Sequence, residues 1–377
     1  MKKILCLLIC IFAFTNVYAL DIKSKNVLFY NLNDNKLLLE QNKEEKLYMS
    51  DLDRIMIVYT AIDMLESLDK NVTITYSMLK DNNDNIGFAE GDIVSYKDLL
   101  YATLLTEALD AKNALVLSLA KSEAKYNEWM NNKVDILGLT NTHYDLTDST
   151  RNYTSLEDTY KILEIALKNH TFKEIFETNK YTLSTGKTIQ NKMYDYISNY
   201  PELSNLNTSI LNKNGNSFIS TKNDLENNIK YLLLTADTVE NMIDDNMNIY
   251  DYYFKNYKYH IVVSKDEVVK TIIPKYSKDK IEVTLGEDVK YYTDNIDKSL
   301  LKIEYDGTDK VDSKTEVGSK LGTIHVKYNN ENLLDYDVIL DKKITFSLSK
   351  YLLSHIVVII TLLIAVIFVI FIIKRKA

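Results

Sequence analysis

The residues whose types and spacing bear most directly on chemistry lie between Leu47 and Met56, in the run Leu-Tyr-Met-Ser-Asp-Leu-Asp-Arg-Ile-Met. Ser50 offers a hydroxyl, Asp51 and Asp53 offer carboxylates, and Arg54 offers a cation. A hydroxyl attacks a carbonyl only when a nearby base takes its proton, and a lysine with a depressed pKa is one such base. Arg54 cannot fill that role, because a guanidinium with a pKa above about 12 stays protonated. Attack by Asp51 on an amide would give a mixed anhydride, a poor intermediate for hydrolysis. The same residues also read as the start of a helix. Ser50 with Asp53 three residues on has the form of an N-cap, and the acids suit the positive helix end. Leu52, Ile55, Met56 and Tyr59 then recur at helical spacing.

Other polar motifs are weaker. Lys213-Asn214-Gly215 reads on its own as a turn. Ser-x-x-Lys spacing recurs at Ser67/Lys70, Ser118/Lys121, Ser122/Lys125, Ser184/Lys187, Ser277/Lys280 and Ser347/Lys350, as expected by chance in a lysine-rich chain. The five histidines are scattered and fit no metal-ligand spacing, so neither a metal nor a cofactor is expected. A formal charge of -8 with mixed acids and lysines leaves no basic stripe for nucleic acid.

The ends of the chain point to a membrane and an extracytoplasmic compartment. Residues 1–19 read as a secretory signal: Lys2 and Lys3, an apolar run from Ile4 to Phe14, and Val17-Tyr18-Ala19 before Leu20. Both cysteines, Cys6 and Cys10, fall within it, so the mature chain needs no disulfide. Ile356 to Ile373 is apolar apart from Thr361 and is followed by Lys374, Arg375 and Lys376. Residues 351–373 are long enough to span a bilayer, with the basic tail 374–377 on the cytoplasmic side.

Between these ends, alternation and helical periodicity outline the elements that must position any site. Val27 to Tyr30 and Lys36 to Glu40 read as a β-hairpin, followed by the helix that Ser50 opens. Periodic apolar residues predict one helix over Tyr96 to Ser122, and others at Leu156 to Lys168, Phe172 to Thr178 and Lys222 to Asn228. Strand-like runs occur at Lys180 to Leu183, Phe218 to Ser220 and Lys230 to Leu234. A hairpin, a helical middle and further strands suggest a sheet whose first and last strands pair. From Tyr257 the chain turns to short strands: His260 to Val263, Val268 to Ile273, Ile281 to Thr284, Leu301 to Tyr305, Thr323 to Tyr328 and Leu333 to Leu340. With Asn329-Asn330 as a turn between the last two, these read as a small β-sandwich before the membrane.

This layout resembles that of the D-alanyl-D-alanine carboxypeptidase family, the low-molecular-mass penicillin-binding proteins. Several segments are similar in order: Asn33 to Asn42; Gly87-Phe88-Ala89-Glu90-Gly91-Asp92 with Asp98-Leu99-Leu100-Tyr101; Gly138-Leu139-Thr140-Asn141-Thr142-His143-Tyr144, without the Pro-Thr-Gly that usually follows; and Val317 to Thr323. The resemblance implies a β-lactamase/transpeptidase-like α/β domain over residues 20–256. A C-terminal β-sandwich over 257–345 and a transmembrane helix would follow it.

The family's catalytic motifs align on substituted residues. Its Ser-x-x-Lys falls on Asp51 and Arg54, and its Ser-x-Asn before Asp-Ala falls on Glu107 and Leu109. Its Lys-Thr-Gly meets Lys213-Asn214-Gly215, keeping a cation where the family holds the substrate carboxylate. None of the Ser-x-x-Lys pairs above sits where the surrounding residues match. Asp51 with Arg54, or Glu107 with Arg54 or Lys213, would turn a reactive site into ion pairs. The expectation is an inactive homologue that binds or scaffolds at the cell envelope, with a peptidoglycan stem peptide or an envelope protein as partner. Its competitor is an active carboxypeptidase that trims stem peptides with Ser50 as a shifted nucleophile.

Overall fold

The computed structural model describes residues 20–48, 52–79, 85–106, 108–191, 206–212 and 217–376. The chain divides into two compact units, one ending at Lys255 and one beginning at Asn256.

The first unit is built on a five-stranded antiparallel sheet. β1 (Asn26–Asn31) and β2 (Lys36–Gln41) form the expected hairpin, and β3 (Leu206–Asn212), β4 (Ser217–Asp224) and β5 (Ile229–Ala236) complete the order β2-β1-β5-β4-β3. β1 pairs with β5 from Asn26↔Ala236 to Asn31↔Tyr231, so the chain's early and late strands meet as the sequence suggests. Val27, Leu28 and Phe29 are all buried because both faces of this strand are covered. Leu28 joins the core of the helical layer. Phe29 instead meets Tyr231, Tyr250 and Tyr253 at ring distances of 5.2, 5.6 and 4.8 Å. The last two residues belong to a helix over Val239–Asn256, which the sequence reading leaves unassigned.

The helical layer centres on α1 (Asp53–Met64), buried nearly all round. Leu52 stands at its cap position in a helical conformation and provides no side-chain cap bond. Ser50, expected there, lies outside the described residues.

The single helix expected over Tyr96 to Ser122 is two: α2 (Tyr96–Leu105) and α3 (Leu109–Ala120). A capping box between Ser95 and Asp98 starts α2. Thr106 ends it in an extended conformation, its Oγ1 donating to the Ala102 carbonyl (2.7 Å) and accepting from Ala108 N (3.2 Å). Lys121, at φ 65°, ends α3, and Ser122 caps α4 (Glu123–Ile136), a helix the sequence reading does not assign. α5 (Leu156–Ala166) and α6 (His170–Phe176) lie where expected.

The helix expected at Lys222 to Asn228 does not form. Lys222 to Asp224 finish β4, and Asp224 then turns the chain by accepting from the backbone of Glu226 and Asn227, both at 3.1 Å. Asn228 at φ 55° completes that turn into β5.

The second unit is a β domain followed by helix. Two antiparallel ribbons, Lys258–Val263 with Val289–Thr293 and Lys270–Ile272 with Ile281–Val283, accompany a three-stranded sheet of Leu301–Gly307, Lys320–Tyr328 and Glu331–Ile339. Alternate residues Ile324, Val326 and Tyr328 point inward, and residues from all three sheets share one apolar core. Asn329 and Asn330, at φ 48° and 65°, make the hairpin turn the sequence predicts. The strand Val289–Thr293 is an addition to the expected set. Beyond it a short helix, Leu348–Ser354, leads into Ile356–Lys376, long and apolar enough to cross a membrane by length and composition.

Candidate active site

The residues that the resemblance assigns to the nucleophile helix and the second motif meet where α1 packs against the α2–α3 turn. Arg54, on the first turn of α1, is only 4% exposed. It lines a cavity of about 20 Å³ with Asp53, Thr103, Thr106, Ala108, Leu109 and Lys112. That is room for about one water molecule beside the guanidinium. Leu109, the first residue of α3, presents an alkyl group to this cavity. It has neither donor nor acceptor for a substrate amide.

The cavity also holds an interaction that motif reading alone does not find. Lys112 Nζ lies 3.1 Å from Asp53 Oδ2, and the carboxylate is 2% exposed. Lys112 sits three residues after Leu109 and therefore on the same helix face, the one available signal for its role. The Asp53 charge is felt nearby. Burial raises the pKa of the Tyr144 phenol, with the Asp53 carboxylate adding to the effect, so this hydroxyl stays protonated.

Segments that keep the family pattern hold the scaffold. Asp110 directly follows the Leu109 position, and its carboxylate accepts from the backbone N–H of Ile86 (3.0 Å), Gly87 (2.9 Å) and Phe88 (3.1 Å). It also accepts from Ala111 N at 2.9 Å. Four acceptances by one buried carboxylate fix the 85–88 loop against the start of α3. Gly87 sits there at φ 91°, a conformation that favours glycine.

Asp98 plays a similar part at the start of α2. It accepts from Tyr181 Oη (3.1 Å), Ser184 N (3.2 Å), Ser184 Oγ and Ser95 N (3.2 Å). Burial alone pushes its carboxyl up, but the hydrogen bonds from Ser184, Ser95 and Tyr181 outweigh burial and hold it below the usual carboxylate range. In the Gly138 to Tyr144 segment, Asn141 N and Thr142 Oγ1 donate to Asp158 at 2.7 and 2.9 Å, clasping the segment to α5.

The structure thus brings Arg54 and Leu109 together. Ser50, Asp51, Glu107, Lys213, Asn214 and Gly215 lie outside the described residues. The flanking strands end at Asn212 and resume at Ser217, which pair with each other.

With this geometry in place, comparison with known proteins fixes the class. Residues 13–238 match the D-alanyl-D-alanine carboxypeptidase family, and residues 257–345 match the C-terminal domain of penicillin-binding protein 5. The chain belongs to the D-alanyl-D-alanine carboxypeptidase family of low-molecular-mass penicillin-binding proteins. It is similar to D-alanyl-D-alanine carboxypeptidase DacF of Bacillus subtilis, with 22% identity over 336 residues, covering 84% of each chain. A D-alanyl-D-alanine carboxypeptidase of Streptomyces is 33% identical over 132 residues, which are 32% of this chain and 45% of that one.

Among solved structures, penicillin-binding protein 5 of Haemophilus influenzae has a TM-score of 0.60 at 14% identity, over 86% of this chain and 98% of that one. PBP3 of Streptococcus pneumoniae, described as a peptidoglycan synthesis regulatory factor, has a TM-score of 0.61 at 17% identity, over 86% and 100% of the two chains. These likenesses establish the fold: an N-terminal α/β domain with a C-terminal β domain.

Proposed function

We propose that this chain is a membrane-anchored, catalytically silent member of its family that binds or scaffolds at the cell envelope. The observation that carries the reading is the burial of Arg54, beside Leu109, in a cavity of about 20 Å³. A lysine in the corresponding place can surrender its proton, whereas a guanidinium cannot. Catalytic groups of this kind act as a unit. Losing one member removes most of the rate, leaving about 10³-fold over water, and later losses cost little more.

The Asp53–Lys112 pair supports the same reading, because it commits two charged groups at the entrance of α1 to each other rather than to a substrate. The family-like segments that carry Asp98, Asp110 and Asn141 are each clasped by hydrogen bonds to a carboxylate, so the scaffold stands without the catalytic residues. A shape kept without its chemistry is suited to holding a stem peptide or an envelope protein. Anchoring is supported by the Ile356–Lys376 helix, and an external position by the family's action on peptidoglycan and by the signal-like residues 1–19.

Two measurements test the proposal. Purified ectodomain is exposed to a fluorescent penicillin, and binding of soluble muropeptides is followed by calorimetry. The expectation is no covalent label together with measurable, reversible muropeptide binding or a specific protein partner. Labelling at Ser50 would instead identify an active carboxypeptidase with a shifted nucleophile.

A further inference from the structure

A cavity of about 470 Å³ lies where the β domain meets the beginning of the C-terminal helix. One wall is the loop after the Lys270–Ile272 strand, with Ile273, Lys275 and Tyr276. The other is Lys350, Ser354 and His355 at the end of the short Leu348–Ser354 helix. The two walls are fastened together. Ser347 N donates to the Tyr276 carbonyl at 2.7 Å, and Thr345 donates to Asp279 Oδ2 from both its N (2.8 Å) and its Oγ1 (2.7 Å). The Tyr276 ring packs against Tyr351 at 5.0 Å and His355 at 5.5 Å. Tyr276 holds a left-handed φ of 57°, costly for a non-glycine residue, so these contacts maintain a defined shape.

Charge in this region departs from the rest of the chain. Residues 273–280 contain three lysines and one aspartate, and so do residues 341–355, in a protein of net charge -8. Among the described residues Lys275 and Lys350 make no ion pair, and Lys275 Nζ rests 4.8 Å over the Tyr276 ring. The nearby acids are already engaged: backbone and side-chain hydrogen bonds from Thr345 and one from Ser277 hold the Asp279 carboxyl below the usual range, and Asp312, which bridges to Lys275 through the backbone, accepts from Lys314 N at 2.8 Å. Two cations therefore line the cavity without an ion pair among the described residues.

The position of the cavity indicates what meets their charge. The apolar span begins at Ile356, the residue after His355, so a helix inserted in a bilayer places Lys275 and Lys350 at headgroup level. Tyr276, Tyr351 and Phe346 supply aromatic rings of the kind that settle at that interface. We propose that this cavity binds the phosphodiester of an anionic phospholipid in the leaflet the helix enters, with the Lys275 and Lys350 ammonium groups meeting its charge. The bound lipid then sets how the β domain stands on the membrane. This inference rests on the membrane-anchored reading above.

The test uses the full chain in nanodiscs of phosphatidylcholine and phosphatidylglycerol in equal parts, with retained lipid counted by native mass spectrometry. K275Q/K350Q is compared with K310Q/K314Q, which removes the same charge from an exposed loop outside the cavity. Wild type and the loop variant should retain a phosphatidylglycerol molecule, and K275Q/K350Q should retain at least about tenfold less, the scale expected for two interfacial cations. Equal retention by K275Q/K350Q and wild type, or equal loss in both variants, would overturn the assignment. Vesicle flotation separates the two levels: a chain that floats but shows no lysine-dependent retention sinks only the lipid site. A chain that does not float sinks the anchored reading and this inference with it.

Discussion

Asp53 and Lys112, 59 positions apart in the chain, form an ion pair with Oδ2 and Nζ at 3.1 Å. The pair bridges the first turn of α1 and the first turn of α3, the two elements on which this family mounts its nucleophile and its second motif. Its presence makes the region a structural joint, and that has measurable consequences.

Replacing Lys112 by Met removes the cation from a carboxylate that is 2% exposed. Breaking a buried pair costs about 3–5 kcal/mol, and because Lys112 is partly exposed a loss of about 2–3 kcal/mol is expected here. Urea unfolding of K112M against wild type measures it. The double variant D53N/K112M should recover more than half of the loss, since it no longer strands a charge.

Asp110→Ala should destabilise the first domain by about 2–4 kcal/mol, because it leaves the N–H groups of Ile86, Gly87 and Phe88 without their acceptor. Hydrogen exchange at those three amides should accelerate more than at amides of the central sheet. Unchanged protection there would show that Asp110 does not hold the loop.

Acid stability should depend on Asp98. Its carboxyl is held low in the folded protein, so its contribution is complete above the unfolded aspartate value of about 3.9 and is lost as pH falls through the folded value. Asp98→Asn should therefore lower stability at pH 7 and flatten the fall in stability below about pH 4. Chemical denaturation at a series of pH values gives both slopes.

Arg54→Lys alone should restore no acylation by penicillin, because the hydroxyl, the second motif and the third motif still differ at Asp51, Glu107, Leu109 and Asn214. Labelling above background is expected only when all five positions are returned to the family residues. A labelled R54K single variant would mean that the remaining machinery is already present.

Much of the fold is legible because its signals are local. The hairpin around Asn31 to Asn35 and the Asn329-Asn330 turn each depend on residues close in sequence. The misread places are decided by contacts that periodicity does not carry. The break between α2 and α3 is made by the Thr106 hydroxyl and anchored by Asp110, whose partners lie more than twenty positions away.

The Val239–Asn256 helix carries a readable stripe in Met242, Ile243, Ile249, Tyr250 and Tyr253, diluted by acids. One of those acids, Asp245, is itself buried, accepting from Lys23 N at 3.0 Å and Ser24 N at 2.6 Å. At the site, Arg54 and Leu109 could be picked out from family motifs. Lys112 has only its spacing from Leu109 to mark it, and that spacing does not point to Asp53.

The most direct test of a silent site is intact-mass analysis of the folded ectodomain after prolonged incubation with benzylpenicillin, alongside an active family member as control. An unchanged mass is predicted, since the buried guanidinium of Arg54 cannot take a proton from any attacking hydroxyl. A mass increase equal to one penicilloyl group would contradict the account.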